Sequence, residues 1–356
     1  MKPCTVSLSP PMMSNSKRLR TTALIAAIAT IGLTLNVRQS ANHFQRRTSA
    51  DLVPEAVAKH IGDVTSPVND ADTAVFWHIP KDSGSSVKSY YLCMGLVVAS
   101  NESEEEGHGS DTTLQVWELD HHRLVNVDTT LEKGLERAKN LGLAESGLAD
   151  VVFTMFPRHA AEIFSEEHPG RLFAFFRHPV DRAVSQFYYR SIASWEKSPG
   201  IYRPDFSDLG GMEEWLLDGR SPDQVNNYMV RLLVNKHMGG PVTEDDLEMA
   251  KEILRTKVLV GLVSKMEESV DRYDQYFGFY DNDNRDRCYN VYISKGFNKN
   301  NHKSLEEGSK AWNMLAEMDL YDMKLYEYAI QLFDEQERLF EKEEENVADQ
   351  TVLSEK

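Results

Sequence analysis

Two widely separated segments constrain this chain most, because each joins an apolar run to a short turn and then to a helix-like run. Residues 74–86 read AVFWHIPKDSGSS, and residues 171–185 read RLFAFFRHPVDRAVS. A helix that starts directly after a strand places its free N–H groups where an anion can bind. The first turn adds Lys81, and the second adds two arginines and a serine. The pair therefore predicts two anion-binding turns at the end of one sheet.

The rest of the chain continues the alternation of apolar and amphipathic runs. Strands are predicted at 74–79, 114–118, 124–127, 150–155, 172–176 and 257–263, and helices at 85–98, 130–140, 158–165, 180–195, 212–217, 221–233, 243–256 and 320–342. Such alternation is typical of an α/β protein with helices on both faces of a parallel sheet. The strands are nearly all apolar, as doubly covered strands must be. The half that follows residue 195 is predicted to be mostly helical.

The N-terminal region predicts a membrane anchor. Residues 21–37 are uncharged and follow a basic cluster within residues 1–20. Their length is near the lower limit for a membrane span, and it also suits a cleaved signal peptide. We favour an uncleaved signal-anchor, with residues 1–20 as a cytosolic tail. Residues 38–70 are predicted to be a stem, residues 71–342 the folded domain, and residues 343–356 a disordered acidic tail.

The charge distribution argues against a nucleic-acid partner. Residues 1–50 carry seven basic residues and no acidic one, so the remainder must carry −24 for the chain to reach −17. A body so acidic does not bind nucleic acid by neutralising its phosphates. Any anion-binding site in this acidic part of the chain therefore needs a local group of positive charges, because the overall electrostatic potential there is negative.

The first turn has the residue types of a phosphate cradle. Small residues let the backbone approach an anion closely, hydroxyl groups donate hydrogen bonds, and Lys81 supplies a compact positive charge. The small residues are Ser83, Gly84, Ser85 and Ser86. The segment lacks the GxxxxGK[ST] pattern, which argues against an ATPase or kinase. A capped helix start with an incidental lysine is the alternative interpretation.

The second turn favours the anion-binding interpretation. Arg177 ends an apolar run, Pro179 suits the first turn of a helix, and Ser185 lies three residues after Arg182. Arginine makes two-pronged contacts with phosphate groups. A surface ion pair between Asp181 and Arg182 is the alternative for Arg182.

Both segments resemble the sulfotransferase superfamily, specifically the Golgi-type carbohydrate sulfotransferases. The family's HIPKTGGTS-like loop corresponds to residues 78–86, HIPKDSGSS. Its R-x-P-x-x-R-x-x-S segment corresponds to Arg177, Pro179, Arg182 and Ser185. The likeness covers residues 73–189 well and the helical remainder loosely. It implies a P-loop NTPase-like sulfotransferase fold.

The resemblance also implies the donor, 3′-phosphoadenosine 5′-phosphosulfate (PAPS), and no metal. The residues that would hold the 5′-phosphosulfate are Lys81, Ser83, Gly84, Ser85 and Ser86. Arg177 and Ser185 would hold the 3′-phosphate. Residues 295–299, with Lys303, resemble the late loop that covers the nucleotide. Lys81 would also be catalytic, since sulfuryl transfer resembles phosphoryl transfer and charge grows on the leaving phosphate oxygen.

The general base is where the chain departs from the family pattern. Several of the similar enzymes carry a histidine shortly before the arginine-containing strand, where this chain has Met155. His159, four residues later, is the first candidate for the catalytic base. The other candidates are His121, His122, Glu118 and Asp120.

The predicted function is transfer of a sulfuryl group from PAPS to a hydroxyl of a glycan, in a single-pass type II Golgi membrane protein with a lumenal catalytic domain. A non-catalytic relative that binds nucleotide or glycan, and a protein-tyrosine sulfotransferase, are the alternatives. In that compartment Cys93 and Cys288 could form a disulfide, although two free buried thiols are equally compatible with the sequence. Asn101-Glu102-Ser103 is a glycosylation sequon. The acceptor sugar and the oligomeric state stay open.

Overall fold

The computed structural model describes residues 52–194, 202–205, 208–217, 226–237, 239–295 and 303–341. Its strands are Thr73–Trp77 (β1), Val97–Ala99 (β2), Val116–Leu119 (β3), His122–Val125 (β4), Val151–Thr154 (β5), Gly170–Phe176 (β6) and Val258–Leu262 (β7). They form one sheet in the order β3-β4-β2-β5-β1-β6-β7. Every neighbouring pair is parallel except β3 and β4. The predicted α/β class, a mostly parallel sheet flanked by helices, is confirmed.

Helices cover both faces of the sheet. In the first half they are Glu55–His60 (α1), Gly84–Cys93 (α2), Glu102–Glu105 (α3), Glu132–Asn140 (α4), Leu143–Ser146 (α5), Pro157–Ala160 (α6) and Pro179–Ile192 (α7). In the second half they are Met212–Leu217 (α8), Tyr228–Leu233 (α9), Glu244–Lys257 (α10), Met266–Tyr276 (α11), Arg285–Tyr289 (α12), Lys310–Met318 (α13) and Leu320–Glu335 (α14). Successive strand residues enter different apolar clusters: Val75 and Trp77 join one, and Ala74 and Phe76 the other. This period of two explains the continuous apolar runs in the sequence.

Two features of the sheet differ from the predicted elements. Residues 97–98 were predicted to end a helix, but α2 stops at Cys93 because Gly95, with φ +83°, turns the chain into β2. β3 and β4 form an antiparallel hairpin. Their two connecting residues, Asp120 and His121, have φ values of +49° and +70°, which a tight two-residue hairpin turn requires.

The predicted stem overlaps the folded domain. Within residues 52–70, α1 buries Val57, and Ile61 forms a parallel bridge with Gly170 at the start of β6. Arg171 donates hydrogen bonds to Asp63 O and Pro67 O, and its Nε bonds Asp72 Oδ2 at 2.6 Å. These contacts place residues 52–70 in the domain, so its predicted start at 71 is wrong. Residues 38–51 lie outside the described residues, as do the predicted tail at 1–20, the anchor at 21–37 and the acidic tail at 343–356.

A glutamine closes the β7 edge of the sheet. Gln336 Oε1 accepts the Val260 N–H at 2.8 Å, and Gln336 Nε2 donates to Val258 O at the same distance. The side-chain amide thus replaces a neighbouring strand, which protects the edge from pairing with another chain. Within the part of the chain that the structure describes, no helix is long and apolar enough to cross a membrane.

Cys93 and Cys288 form a disulfide that joins the end of α2 to α12. Of the two states that the sequence left open, a disulfide or two free thiols, the structure has the disulfide. A buried polar network supports the same junction, because Tyr90 Oη donates to Asp274 Oδ2 at 2.5 Å and Arg285 Nε to the same oxygen at 2.8 Å. The disulfide and these hydrogen bonds therefore hold the C-terminal end of α2, the helix that begins at the first turn.

Candidate functional site

The two turns meet at the edge where the parallel strands end, which we call the carboxyl edge. β1 pairs directly with β6, so the turns that follow these strands are neighbours. The Arg177 N–H donates to Asp82 Oδ2 at 3.2 Å, and Arg177 Nη1 donates to Lys81 O at 3.3 Å. The site is therefore built from two segments that hydrogen-bond to each other across the sheet edge.

The first turn, residues 81–86, contains backbone N–H groups that are available for a ligand. Lys81 and Ser83 adopt left-handed backbone conformations, with φ values of +73° and +66°. Among the described residues, the N–H groups of Ser83, Gly84 and Ser85 have no hydrogen-bond acceptor. These groups lie at the N-terminus of the ten-residue α2, where the helix dipole favours negative charge. We call this turn the cradle.

His78 packs against the cradle and was not singled out from the sequence. A Cβ atom on Gly84 would lie 2.2 Å from His78 Cδ2, so only glycine fits below the ring. Burial, together with the charges of Lys88 and Lys81, lowers the pKa of His78 to about 4. His78 is therefore neutral at physiological pH. Its place inside the HIPKDSGSS segment was the signal that could have identified it.

Lys81 and Arg177 are half-buried cations, and neither pairs with a carboxylate among the described residues. Lys81 Nζ lies 4.0 Å from the centre of the Tyr189 ring. No ion pair joins either side chain to an acidic residue in the described ranges. Burial and the nearby Arg177 charge lower the pKa of Lys81 to about 8. Two cations that have no ion-pair partner in the described ranges, in a protein of net charge −17, make this edge a candidate anion-binding site.

Ser185 lies on the helix that follows the second turn. It lies four residues before Tyr189 on α7, and residues at this spacing share one helix face. Lys81 covers the Tyr189 ring, so this face is turned toward the cradle. The half-buried Ser185 hydroxyl has no hydrogen-bond partner among the described residues. The structure thus places Arg177 beside the cradle, and Ser185 on the helix that begins two residues after Arg177.

Arg182 does not form the predicted surface ion pair with Asp181. Arg182 is only 1% exposed, and its Nη2 lies 3.8 Å from Asp322 Oδ2. Its guanidinium also lies 5.3 Å from the centre of the Tyr228 ring, while Asp181 is exposed. Arg182 therefore joins α7 to the helical half.

One carboxylate and one side-chain amide near Arg182 cap two helices. Asp322 accepts the N–H groups of Met229 and Val230, while Asn227 Oδ1 accepts the N–H of Tyr321 at the start of α14. Burial raises the pKa of Asp322, against the opposing charge of Arg182. Burial likewise raises the pKa of Asp319 to about 7.

His159, the first candidate for the base, lies at the carboxyl edge. It belongs to α6, which follows β5, the strand next to β1 on the side away from β6. His159 Nδ1 lies 3.3 Å from Glu132 Oε1, and His237 Nε2 lies 2.9 Å from the same oxygen. A histidine oriented by a carboxylate is a recurring base arrangement. Glu132 and His237 were missed, since no local motif connects them to His159.

The other base candidates lie at the opposite edge of the sheet. β4 runs parallel to β2 and begins with His122, so the hairpin turn before it lies where the parallel strands start. Asp120 and His121 form that turn, and Glu118 pairs with Arg123 beside it. These residues are separated from the cradle by the length of the strands.

The structure describes part of the predicted late loop and the whole of the glycosylation sequon. Lys295 and Lys303 are described, but residues 296–299 of the late loop lie outside the described residues. In the sequon, Ser103 is buried and donates its hydroxyl to Val125 O at 2.6 Å. Among the residues that can be described, no three His, Cys, Asp or Glu side chains are arranged to hold a metal ion.

Comparison with known proteins adds no relative: no family model matches the chain, and no curated protein matches it. A functional assignment therefore depends on the geometry at the carboxyl edge and on the two short motifs.

Proposed function

We propose that this protein transfers a sulfuryl group from PAPS to a hydroxyl of a glycan. The observation that carries the proposal is the meeting of the cradle with the Arg177 turn at one sheet edge, with Ser185 on the helix that follows that turn. Two anion-binding groups on neighbouring turns suit a ligand with negative charge at two ends. PAPS has a 5′-phosphosulfate and a 3′-phosphate, which matches this requirement better than a single phosphate does.

The assignment of the two ends follows from local chemistry. The free N–H groups at the start of α2 and Lys81 suit the 5′-phosphosulfate, because charge grows on its bridging oxygen during transfer. Arg177 and Ser185 can then bind the 3′-phosphate through a guanidinium and a hydroxyl. A strand, a glycine-containing turn and a helix at the carboxyl edge also agree with a P-loop NTPase-like sulfotransferase fold.

The reaction requires one proton transfer and one bond exchange. The acceptor oxygen bonds to sulfur, the bond from sulfur to the 5′-phosphate oxygen breaks, and adenosine 3′,5′-bisphosphate leaves. Lys81 balances the charge that grows on that oxygen. His159 takes the acceptor proton, and Glu132 stabilises the resulting imidazolium. The His159–Glu132 pair favours an active enzyme over a non-catalytic relative.

The disulfide supports the proposed location. Disulfides such as Cys93–Cys288 persist in the oxidising secretory compartments and are rare in the cytosol. A lumenal domain on a type II Golgi membrane anchor at residues 21–37 is consistent with this bond.

The decisive assay is transfer of radiolabelled sulfate from PAPS by the full-length chain to a panel of glycans, with tyrosine peptides in parallel. Labelled glycan supports the proposal, labelled peptide supports the tyrosine alternative, and donor binding without transfer supports a non-catalytic relative. Absence of both donor binding and transfer contradicts the proposal.

Replacing Arg177 by alanine is expected to raise the Kd for adenosine 3′,5′-bisphosphate by about 10- to 100-fold, because charge-assisted hydrogen bonds contribute roughly 1.5–3 kcal/mol. Isothermal titration calorimetry measures this change. Arg123→Ala is the control, since Arg123 lies at the opposite sheet edge and donates to Gly95 O. Equal affinities for the wild type and Arg177→Ala would remove Arg177 from the site.

Replacing His159 by alanine is expected to lower kcat by about 10²- to 10⁴-fold, as loss of a general base does, with the nucleotide Kd unchanged. Glu132→Gln should lower kcat by a smaller factor, because the base stays in place without its carboxylate partner. Steady-state kinetics and calorimetry separate the two effects. His122→Ala, at the opposite edge, is the control, and full activity of His159→Ala would exclude His159 as the base.

A further inference from the structure

Asp82 is a buried acid in the middle of the cradle, and neither the motif nor the proposed reaction uses it. Its neighbours Lys81 and Ser83 both have left-handed backbone conformations, while Asp82 itself is 1% exposed. The turn therefore presents Lys81 to the site and directs the carboxyl group of Asp82 inward.

The carboxyl group of Asp82 connects the cradle to the second turn. Its Oδ2 accepts the Arg177 N–H at 3.2 Å, and its Oδ1 has no hydrogen-bond partner within the described ranges. Arg177 Nη1 donates a second hydrogen bond, to Lys81 O at 3.3 Å. Two bonds, both donated by Arg177, thus join residues that are 95 and 96 positions apart in the sequence.

The burial of this group is energetically unfavourable by itself. Burial raises the pKa of Asp82 well above its ordinary value, although the charges of Arg182 and Arg177 oppose the shift. A buried polar group destabilises a protein unless its hydrogen bonds compensate. Among the described residues, the bond to Arg177 N–H is the only hydrogen bond of the Asp82 carboxyl group.

We infer that Asp82 is a positioning residue that holds the cradle and the Arg177 turn at the spacing required to bind both ends of one bisphosphorylated nucleotide. This inference rests on the proposed function. Two sites held at a fixed spacing bind a two-ended ligand far more tightly than either end alone, because the second contact is intramolecular. Loosening the spacing reduces that advantage without removing either anion-binding group.

The test compares three ligands by calorimetry: adenosine 3′,5′-bisphosphate, 5′-AMP and 3′-AMP. The wild type is expected to bind the bisphosphate at least about 100-fold more tightly than either monophosphate. Asp82→Ala should reduce this ratio about tenfold or more. Asp82→Asn should keep it within about threefold, because the asparagine carbonyl accepts the same N–H. Asp286→Ala, which changes an aspartate on the surface, is the control.

Equal weakening of all three ligands by Asp82→Ala, or no change in any of them, would overturn the inference, as would an Asp82→Asn variant that behaves like Asp82→Ala. Asp82→Ser, whose side chain is too short to maintain the bond, gives the same readout if Asp82→Ala does not fold. A wild type without preference for the bisphosphate over either monophosphate contradicts the proposed function itself. A wild-type preference that Asp82→Ala leaves intact contradicts only the role of Asp82.

Discussion

Replacing Lys81 by alanine is expected to reduce sulfuryl transfer by about 10²- to 10³-fold, the usual effect of removing one group that stabilises developing charge. The side chain has no carboxylate partner among the described residues, so its charge is available to the leaving phosphate oxygen. Transfer of radiolabelled sulfate measures the loss. Lys59→Ala is the control, since Lys59 is exposed and paired with Glu55.

The pH dependence of donor binding tests the same residue independently. The pKa of Lys81 is about 8 in the free protein, and a bound anion must raise it because the anion favours the cationic form. Donor affinity should therefore be highest below pH 8 and fall as the pH rises above 8. Lys81→Ala should lose this decline. Wild-type rate and pH dependence in Lys81→Ala would exclude the lysine from the reaction.

Replacing Arg182 by alanine is expected to lower the free energy of unfolding by about 3–5 kcal/mol, because removal of one partner leaves buried carboxyl groups without compensation. Arg182 is the cation beside Asp322, and its charge also opposes the raised pKa values of Asp319 and Asp82. Urea denaturation followed by circular dichroism measures the change.

Arg255→Ala provides the matched control for Arg182. Arg255 pairs with Glu252 at 2.6 Å, but its side chain is 48% exposed, so we expect a loss of at most about 1 kcal/mol. A similar small loss for Arg182→Ala would show that the buried cluster contributes little to stability. Arg182→Met should be less harmful than Arg182→Ala if lost packing accounts for part of the effect.

Local patterns explain most of the sheet and part of the site. The apolar runs before Lys81 and Arg177 correspond to β1 and β6, since strands buried on both faces leave a continuous apolar signal. The predicted helix at 85–98 included most of the short β2, because three apolar residues are compatible with both the helical and the strand periodicity. The hairpin turn at Asp120 and His121 lacks glycine and asparagine, so its sequence gave no clear turn signal.

Contacts between distant segments account for what was missed. Glu132, His159 and His237 belong to separate elements, and they meet only because β5 and the following helices pack at one edge. A surface ion pair with Asp181 was an open alternative for Arg182, because the sequence shows its neighbour Asp181 but not the contact with Asp322, which lies 140 positions later. The same limit applies to the disulfide, since the sequence contained both cysteines but not their distance.

The amino-acid sequence alone determined the α/β class, the two turns after strands and the cationic residues in them, because these depend on hydrophobic period and on the chemistry of single residues. The tertiary structure alone decided that the turns share one edge, that Asp82 joins them and that Arg182 is buried. Those facts depend on strand order, which places β1 between β5 and β6 and brings together residues that are far apart in the chain. Burial and pairing follow from that order, and no local pattern encodes them.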